Sequence, residues 1–264
     1  MTFSRRLTPW LYALVTMLPL SGFAAEVGTI TELEGKATLM RDSGPKAALL
    51  GANVHAQDII ETDKTGIVEI TFADQSVVTV GQKSQLIIDA FVYNPEAKKG
   101  NHSALHATKG FFHFVSGKLA RDKVKIKTPV STIGIRGTEL AGEIMPNGGS
   151  LISLVECCVD VRNDHGEVNL NRVGTFTEVK SRRTAPTTAS LTPDWWAEQA
   201  TAALGKTRQQ LGLEELDEMS LPGTSQPDSK RLKSLTDEEH EFTVRPGDHN
   251  NRKSYPFFKD SLIK

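Results

Sequence analysis

Between Val27 and about Val179 the chain is written in short runs of alternating apolar and polar residues, each closed by Gly, Asn or Asp. "GIVEITF", Gly66–Phe72, sets Val68, Ile70 and Phe72 on one side, and Ala73-Asp74-Gln75 then turns the chain into "SVVTV". "FFHFV", "VKIKT", "LISLV", "CVDVR" and "TFTEV" continue in the same style. A period of two buries one face of a strand and cannot build the stripe a helix needs. Residues 25–180 are therefore expected to form an all-β domain.

The two ends read differently. Arg5 and Arg6 precede an apolar run, Leu7 to Leu20, and then Ser21-Gly22-Phe23-Ala24-Ala25. This is the order of a secretory signal peptide, with cleavage expected after Ala24. The run contains Pro9 and Pro19 and is shorter than the roughly 20 apolar residues of a membrane span. Near Thr184 a polar, proline-containing linker (181–191) leads into "LTPDWWAEQATAALGKTRQQLGLEELDEM". Here a helix is expected over 192–219, with Thr192 able to cap, Pro193 in the first turn and Asp194 at the positive end of the dipole. Trp196, Ala200, Leu204 and Leu211 fall near one stripe, and Gly205 and Gly212 weaken it. Residues 220–264 are polar, charged and poor in aliphatics, the composition of a disordered tail. Tyr255, Phe257 and Phe258 stand out in it as docking candidates, as do Trp195 and Trp196.

The formal charge is −1, and loss of Arg5 and Arg6 with the leader leaves −3. A chain without a basic surplus is not expected to bind nucleic acid. The two cysteines, Cys157 and Cys158, are neighbours. On an alternating strand their side chains point to opposite faces, so one buried and one exposed thiol are expected, with an intermolecular disulfide as the alternative. His102, His106 and His113 form the one histidine cluster, but no carboxylate or cysteine beside them completes a four-ligand zinc set, so they are expected to be exposed loop residues. Gly205-Lys206-Thr207 ends like a phosphate loop, yet Ala200 occupies the place of its first glycine. There is no Gly-x-Ser-x-Gly elbow. No catalytic residue, cofactor or metal site is expected.

One stretch remains, "KTPVSTIGIRGTEL", Lys127 to Leu140. It is neither a dinucleotide fingerprint nor a phosphate loop. Gly134 and Gly137 are read as backbone devices, marking a bulge, a positive φ or a close approach. Thr128-Pro129 holds the chain extended on the way in. Arg136 is expected to pin strands as a buried arginine on a bidentate carboxylate, with Glu139 the nearest acid in sequence and acids of neighbouring strands also within reach, or to contact a partner.

These residues resemble the FecR domain, a bacterial periplasmic module with a core of the form TP-x-[AS]-T-x-G-[IV]-R-G-T, matched at Thr128, Pro129, Gly134, Arg136, Gly137 and Thr138. "VGTITELEGKATLMR" is similar to the opening strand pair, and Ala56 to Thr62 to the family's G-D-x-I-x-T element. "LVECCVDVRNDHGEVNL" is similar to the closing strands. Gln57, Gln75 and Cys157 stand where the family usually has glycine. The resemblance covers roughly Val27 to Val179. It implies an all-β fold of β-helix or sandwich character and a non-catalytic role in periplasmic sensing or scaffolding. Named members carry a signal from an outer-membrane transporter to a cytoplasmic sigma factor. With a signal peptide at its start, this chain is expected to act as the domain alone, on another envelope or membrane protein. The alternative is an envelope ligand- or carbohydrate-binding protein, against which stands a β region with one tyrosine, Tyr93, and no tryptophan.

Overall fold

The computed structural model describes residues 25–96, 101–120 and 122–213. The leader residues 1–24 and the aromatic cluster Tyr255, Phe257 and Phe258 lie outside the described residues. The strands are β1 (Glu26–Glu34), β2 (Ala37–Arg41), β3 (Gly44–Ala47), β4 (Asn53–His55), β5 (Ile59–Thr62) and β6 (Ile67–Phe72). They continue as β7 (Val77–Val80), β8 (Gln85–Val92), β9 (His102–Val115), β10 (Val124–Lys127), β11 (Thr132–Ile135) and β12 (Glu139–Ile144). The last are β13 (Ser150–Glu156), β14 (Val159–Asn163), β15 (Gly166–Leu170), β16 (Thr175–Val179) and β17 (Ser190–Leu191). One helix, α1 (Asp194–Leu204), and a 3-10 turn at Gln209–Leu211 follow.

The pairings make two layers that share one long strand. The first runs β4-β1-β6-β7-β9-β12-β13-β16-β17. The second runs β3-β2-β5-β8-β9-β10-β11-β14-β15. Within β9, residues up to Lys109 pair with β8 in the second layer, and Gly110 onward pairs with β12 in the first. Every pairing is antiparallel except β9 with β10. The chain crosses between layers hairpin by hairpin: β10-β11 in the second, β12-β13 in the first, β14-β15 in the second. The architecture is thus a sandwich in cross-section, with a coiling progression of hairpins along its length.

Alternation decides which residues meet. Val68, Ile70 and Phe72 from the first layer and Ile60, Leu86, Ile88 and Leu105 from the second are buried in one core. Phe72 and Phe91 stack across it with ring centroids 4.9 Å apart. β13 breaks the alternation, being buried from Ser150 to Val155. Its inward side chains join the core, and its outward ones, Leu151 and Val155, lie under α1 in a second apolar cluster with Trp196, Ala200, Leu204 and Leu211. A continuous apolar run such as "LISLV" is the signature of a strand covered on both sides.

The helix differs from its sequence expectation in extent. It starts at Asp194 and stops at Leu204, not over 192–219, because Gly205 takes a left-handed φ of 63° and its N–H closes on the Thr201 carbonyl. Leu211 belongs to the 3-10 turn instead. Residues 214–219 lie outside the described residues. Thr192 does not cap; its hydroxyl meets Ser153 Oγ at 2.8 Å, and Pro193 is the N-cap. Part of the expected linker is a strand, since Ser190 and Leu191 pair with β16 as β17. No described helix is long and apolar enough to cross a membrane.

Candidate functional site

The stretch from Thr128 to Thr138 is a corner that carries the chain from one layer to the other. After β10, Thr128 Oγ1 accepts the N–H groups of Val130 (3.2 Å) and Ser131 (2.9 Å). This side-chain mimic of a backbone turn is what a Thr-Pro pair before a strand can supply. The Pro129 carbonyl accepts from Arg182 Nε at 2.5 Å. β11 then sends Ile133 and Ile135 into the core, and the chain leaves the second layer at Arg136-Gly137. Gly137 has φ 81°, a conformation that costs any residue with a Cβ. Thr138 is buried; its N–H donates to Ser116 Oγ (2.7 Å) and its hydroxyl to the Glu156 carbonyl, bracing the start of β12.

Two expectations at this corner are corrected. Gly134 is an ordinary strand position: a Cβ there would find nothing nearer than Asp160 O at 3.8 Å, so neither close packing nor φ demands glycine. Arg136 is not a buried clamp. Its side chain is 57% exposed and donates one bond, Nε to Asp160 Oδ2 at 2.6 Å. The other oxygen of Asp160 accepts from Asn169 Nδ2 at 2.6 Å. Glu139 is engaged elsewhere, with Nε2 of the buried His113 at 2.7 Å. A bidentate, sheltered pair does exist, between Arg41 and Asp58. Nε meets Oδ1 at 2.8 Å and Nη2 meets Oδ2 at 2.7 Å, and the His55 N–H adds a third bond at 2.9 Å. Sequence reasoning passed over it because Arg41 and Asp58 lie in separate runs; the aspartate of the Ala56–Thr62 element was its only trace.

The β13–β14 turn abuts this corner. Cys157 and Cys158 occupy it, with the Cys157 carbonyl 3.4 Å from Thr138 Oγ1. The expected split into a buried and an exposed thiol does not occur: Cys157 is exposed and Cys158 partly so, and their Sγ atoms are 2.8 Å apart. Cys157 has φ 37°, which takes the pair out of strand alternation. Gln57 (φ 72°) and Gln75 (φ 69°) are also left-handed. All three positions where the resemblance leads one to expect glycine thus keep the backbone that glycine suits, and bear its cost with a side chain.

The outer face of the first layer carries the helix. Trp196 is fully buried against the second cluster and donates Nε1–H to Glu143 Oε2 at 2.9 Å, while Trp195 is 55% exposed. Burial holds the Glu143 carboxyl above its ordinary pKa, against the opposing effect of the Trp196 hydrogen bond. Beside Glu143 a cleft of about 860 Å³ opens between α1, the β7–β8 turn and the β12–β13 hairpin, lined by Phe111, Ile144, Met145 and Ala203 together with Lys83 and Lys109. Beside the middle of β1, Leu49 and Leu50 are 63% and 68% exposed on a turn tied by Gly51 N–H to Ile30 O (2.9 Å) and Ala52 N–H to Leu49 O (3.0 Å).

The histidines do not converge. His106 pairs in the second layer and His113 in the first, where it is buried and not in a loop. Among the described residues no three His, Cys, Asp or Glu side chains are grouped to hold a metal ion. Lys206 reaches Glu69 at 3.4 Å, and Gly205 ends the helix, so Gly205-Lys206-Thr207 does not open a phosphate loop.

Two crystal structures of a putative anti-sigma factor from Parabacteroides distasonis ATCC 8503 are similar over 53% of this chain, at 11% and 12% identity and TM-scores of 0.42 and 0.41. The matched regions are 63% and 64% of those chains, so this chain spans less than two thirds of their length. No curated protein matches it. The family model described as FecR protein matches residues 58–159, from the buried Asp58 through the Arg136–Thr138 corner to the first residue of β14, and over those residues the chain carries a FecR domain.

Proposed function

We propose that this protein is a non-catalytic sensing or interaction module that is exported to the periplasm and relays a signal by binding another protein of the cell envelope. The FecR domain supports a signalling or regulatory role in coarse terms. The observation that carries the finer reading is the exposed Leu49-Leu50 pair. The backbone that carries these side chains is already tied down, so a partner that covers them gains apolar burial without the cost of ordering a loop. Trp195, exposed beside the buried Trp196, offers a second anchor of the residue type enriched in tight interfaces.

The test is in-cell photocrosslinking from position 50 in the full chain. One dominant crosslinked envelope protein, lost on Leu49→Asn with Trp195→Ser, supports the reading. Absence of a specific product from positions 50 and 195 alike refutes it. The cleft beside Glu143 favours a second reading, ligand binding, since its volume lies in the range of small-molecule sites and its wall is largely apolar. Among the described residues Phe111 is its one aromatic side chain, a poor platform for sugar stacking. A compound that raises the melting temperature of the wild type but not of Ala202→Trp, which narrows the cleft, would favour that reading.

A further inference from the structure

We propose that Cys157 and Cys158 close a disulfide with each other, making the β13–β14 turn a two-electron redox site whose co-reactant is a small-molecule disulfide. Four observations converge. The Sγ atoms already lie 2.8 Å apart, and a bonded pair stands at about 2.05 Å, so closure is a sub-ångström movement of two side chains. The left-handed φ of Cys157 is what brings them to one side; on a regular strand they would diverge. The turn is held from outside: Thr138 donates its hydroxyl to the Glu156 carbonyl, and Val159 is paired on both flanks, with Ile135 and with Leu170. Cys157 is exposed and Cys158 partly exposed, so a soluble disulfide can reach the pair, and the chain has no third cysteine to compete.

The exchange runs in two displacements. The Cys157 thiolate attacks one sulfur of the oxidant, the oxidant's S–S bond breaks, and one thiol leaves. The Cys158 thiolate then attacks Cys157 Sγ, the mixed disulfide breaks, and the second thiol leaves. Two electrons pass from the cysteines to the oxidant, and the two thiol protons end on the two thiols released. Neighbouring Cα atoms are about 3.8 Å apart, below the usual disulfide span, so the ring is strained and readily reduced. Labile disulfides of this kind are switching rather than structural elements. Because Thr138 of the Arg136–Thr138 corner bonds the carbonyl just before the ring, closure acts on the most distinctive segment of the domain.

The experiment uses the reduced full-length chain and glutathione disulfide, followed by denaturation, N-ethylmaleimide and intact mass. The expected product is a monomer lighter by two hydrogens than the reduced chain, taking up no maleimide and recovering two additions after dithiothreitol. Cys158→Ser should stop at a single glutathione adduct on Cys157, which shows the resolving step. Two maleimides after oxidation, a persistent glutathione adduct on the wild type, or a disulfide-linked dimer on a non-reducing gel would each overturn the proposal.

Discussion

Two arginine–aspartate pairs of similar length sit in this domain, and they should differ in worth. Arg41–Asp58 is bidentate, with side chains 20% and 4% exposed. Arg136–Asp160 is a single bond, with side chains 57% and 15% exposed. Arg41→Ala strips Asp58 of two charge-assisted bonds and leaves a buried carboxylate held by the His55 N–H. Breaking a buried pair costs about 3–5 kcal/mol, and the partial exposure of Arg41 places this case near the lower figure. Arg136→Ala removes a solvated pair worth about 0.5 kcal/mol. For a domain of this size each kcal/mol moves the melting temperature by about 2–4 °C, so the two drops should be about 6–12 °C and about 1–2 °C. Thermal unfolding followed by far-ultraviolet circular dichroism reads both. Raising salt should shrink the Arg136 effect and leave that of Arg41 nearly unchanged, because exposed charges are screened and sheltered ones are not. Replacing both partners, Arg41→Met with Asp58→Leu, should recover much of the loss. Equal drops, or a larger one for Arg136, would refute the ranking by burial and make Arg136 the structural pin after all.

Other consequences follow from backbone and burial. Gln57→Gly and Gln75→Gly should each raise stability by about 0.5–1 kcal/mol in urea titrations, because relief at a left-handed φ outweighs the added entropy of glycine in the unfolded chain; a loss at both would contradict the strain argument. Glu143 has its pKa raised in the folded state, so its contribution is fully present below the unfolded pKa and is lost as pH rises through the folded one. Glu143→Gln keeps an acceptor for Trp196 Nε1–H and should be more stable than wild type at about pH 7.5, with the gap closing toward about pH 4. A gap that is constant across that range would exclude burial of the charge as its cause. In a Trp10→Phe background, Trp195→Phe should leave a blue-shifted emission from the buried Trp196, and Trp196→Phe a water-like one from Trp195. Water-like emission from both would mean that α1 does not dock on β13.

Part of this fold is encoded between neighbours a few residues apart. Alternation in "GIVEITF" placed Val68, Ile70 and Phe72 inward, and the Trp196, Ala200 and Leu204 spacing drew the buried stripe of α1. The Arg-Gly-Thr corner was legible because a tight backbone needs Gly137, and the resemblance extended that logic to Gln57, Gln75 and Cys157. Tertiary structure decided the rest, wherever an outcome depends on which distant segments become adjacent. Asp160 and not Glu139 receives Arg136 because β11 pairs with β14 across a separation no local pattern records. Arg41 finds Asp58 because β2 lies on β5, and Glu139 is drawn to His113 because β12 lies on β9. The cysteines face each other instead of opposing faces because one residue turned left-handed in a turn that Thr138 braces from another strand. Periodicity reports which side of a strand is buried; it carries no information on the partner strand, and the partner strand is what sets the chemistry of each side chain here.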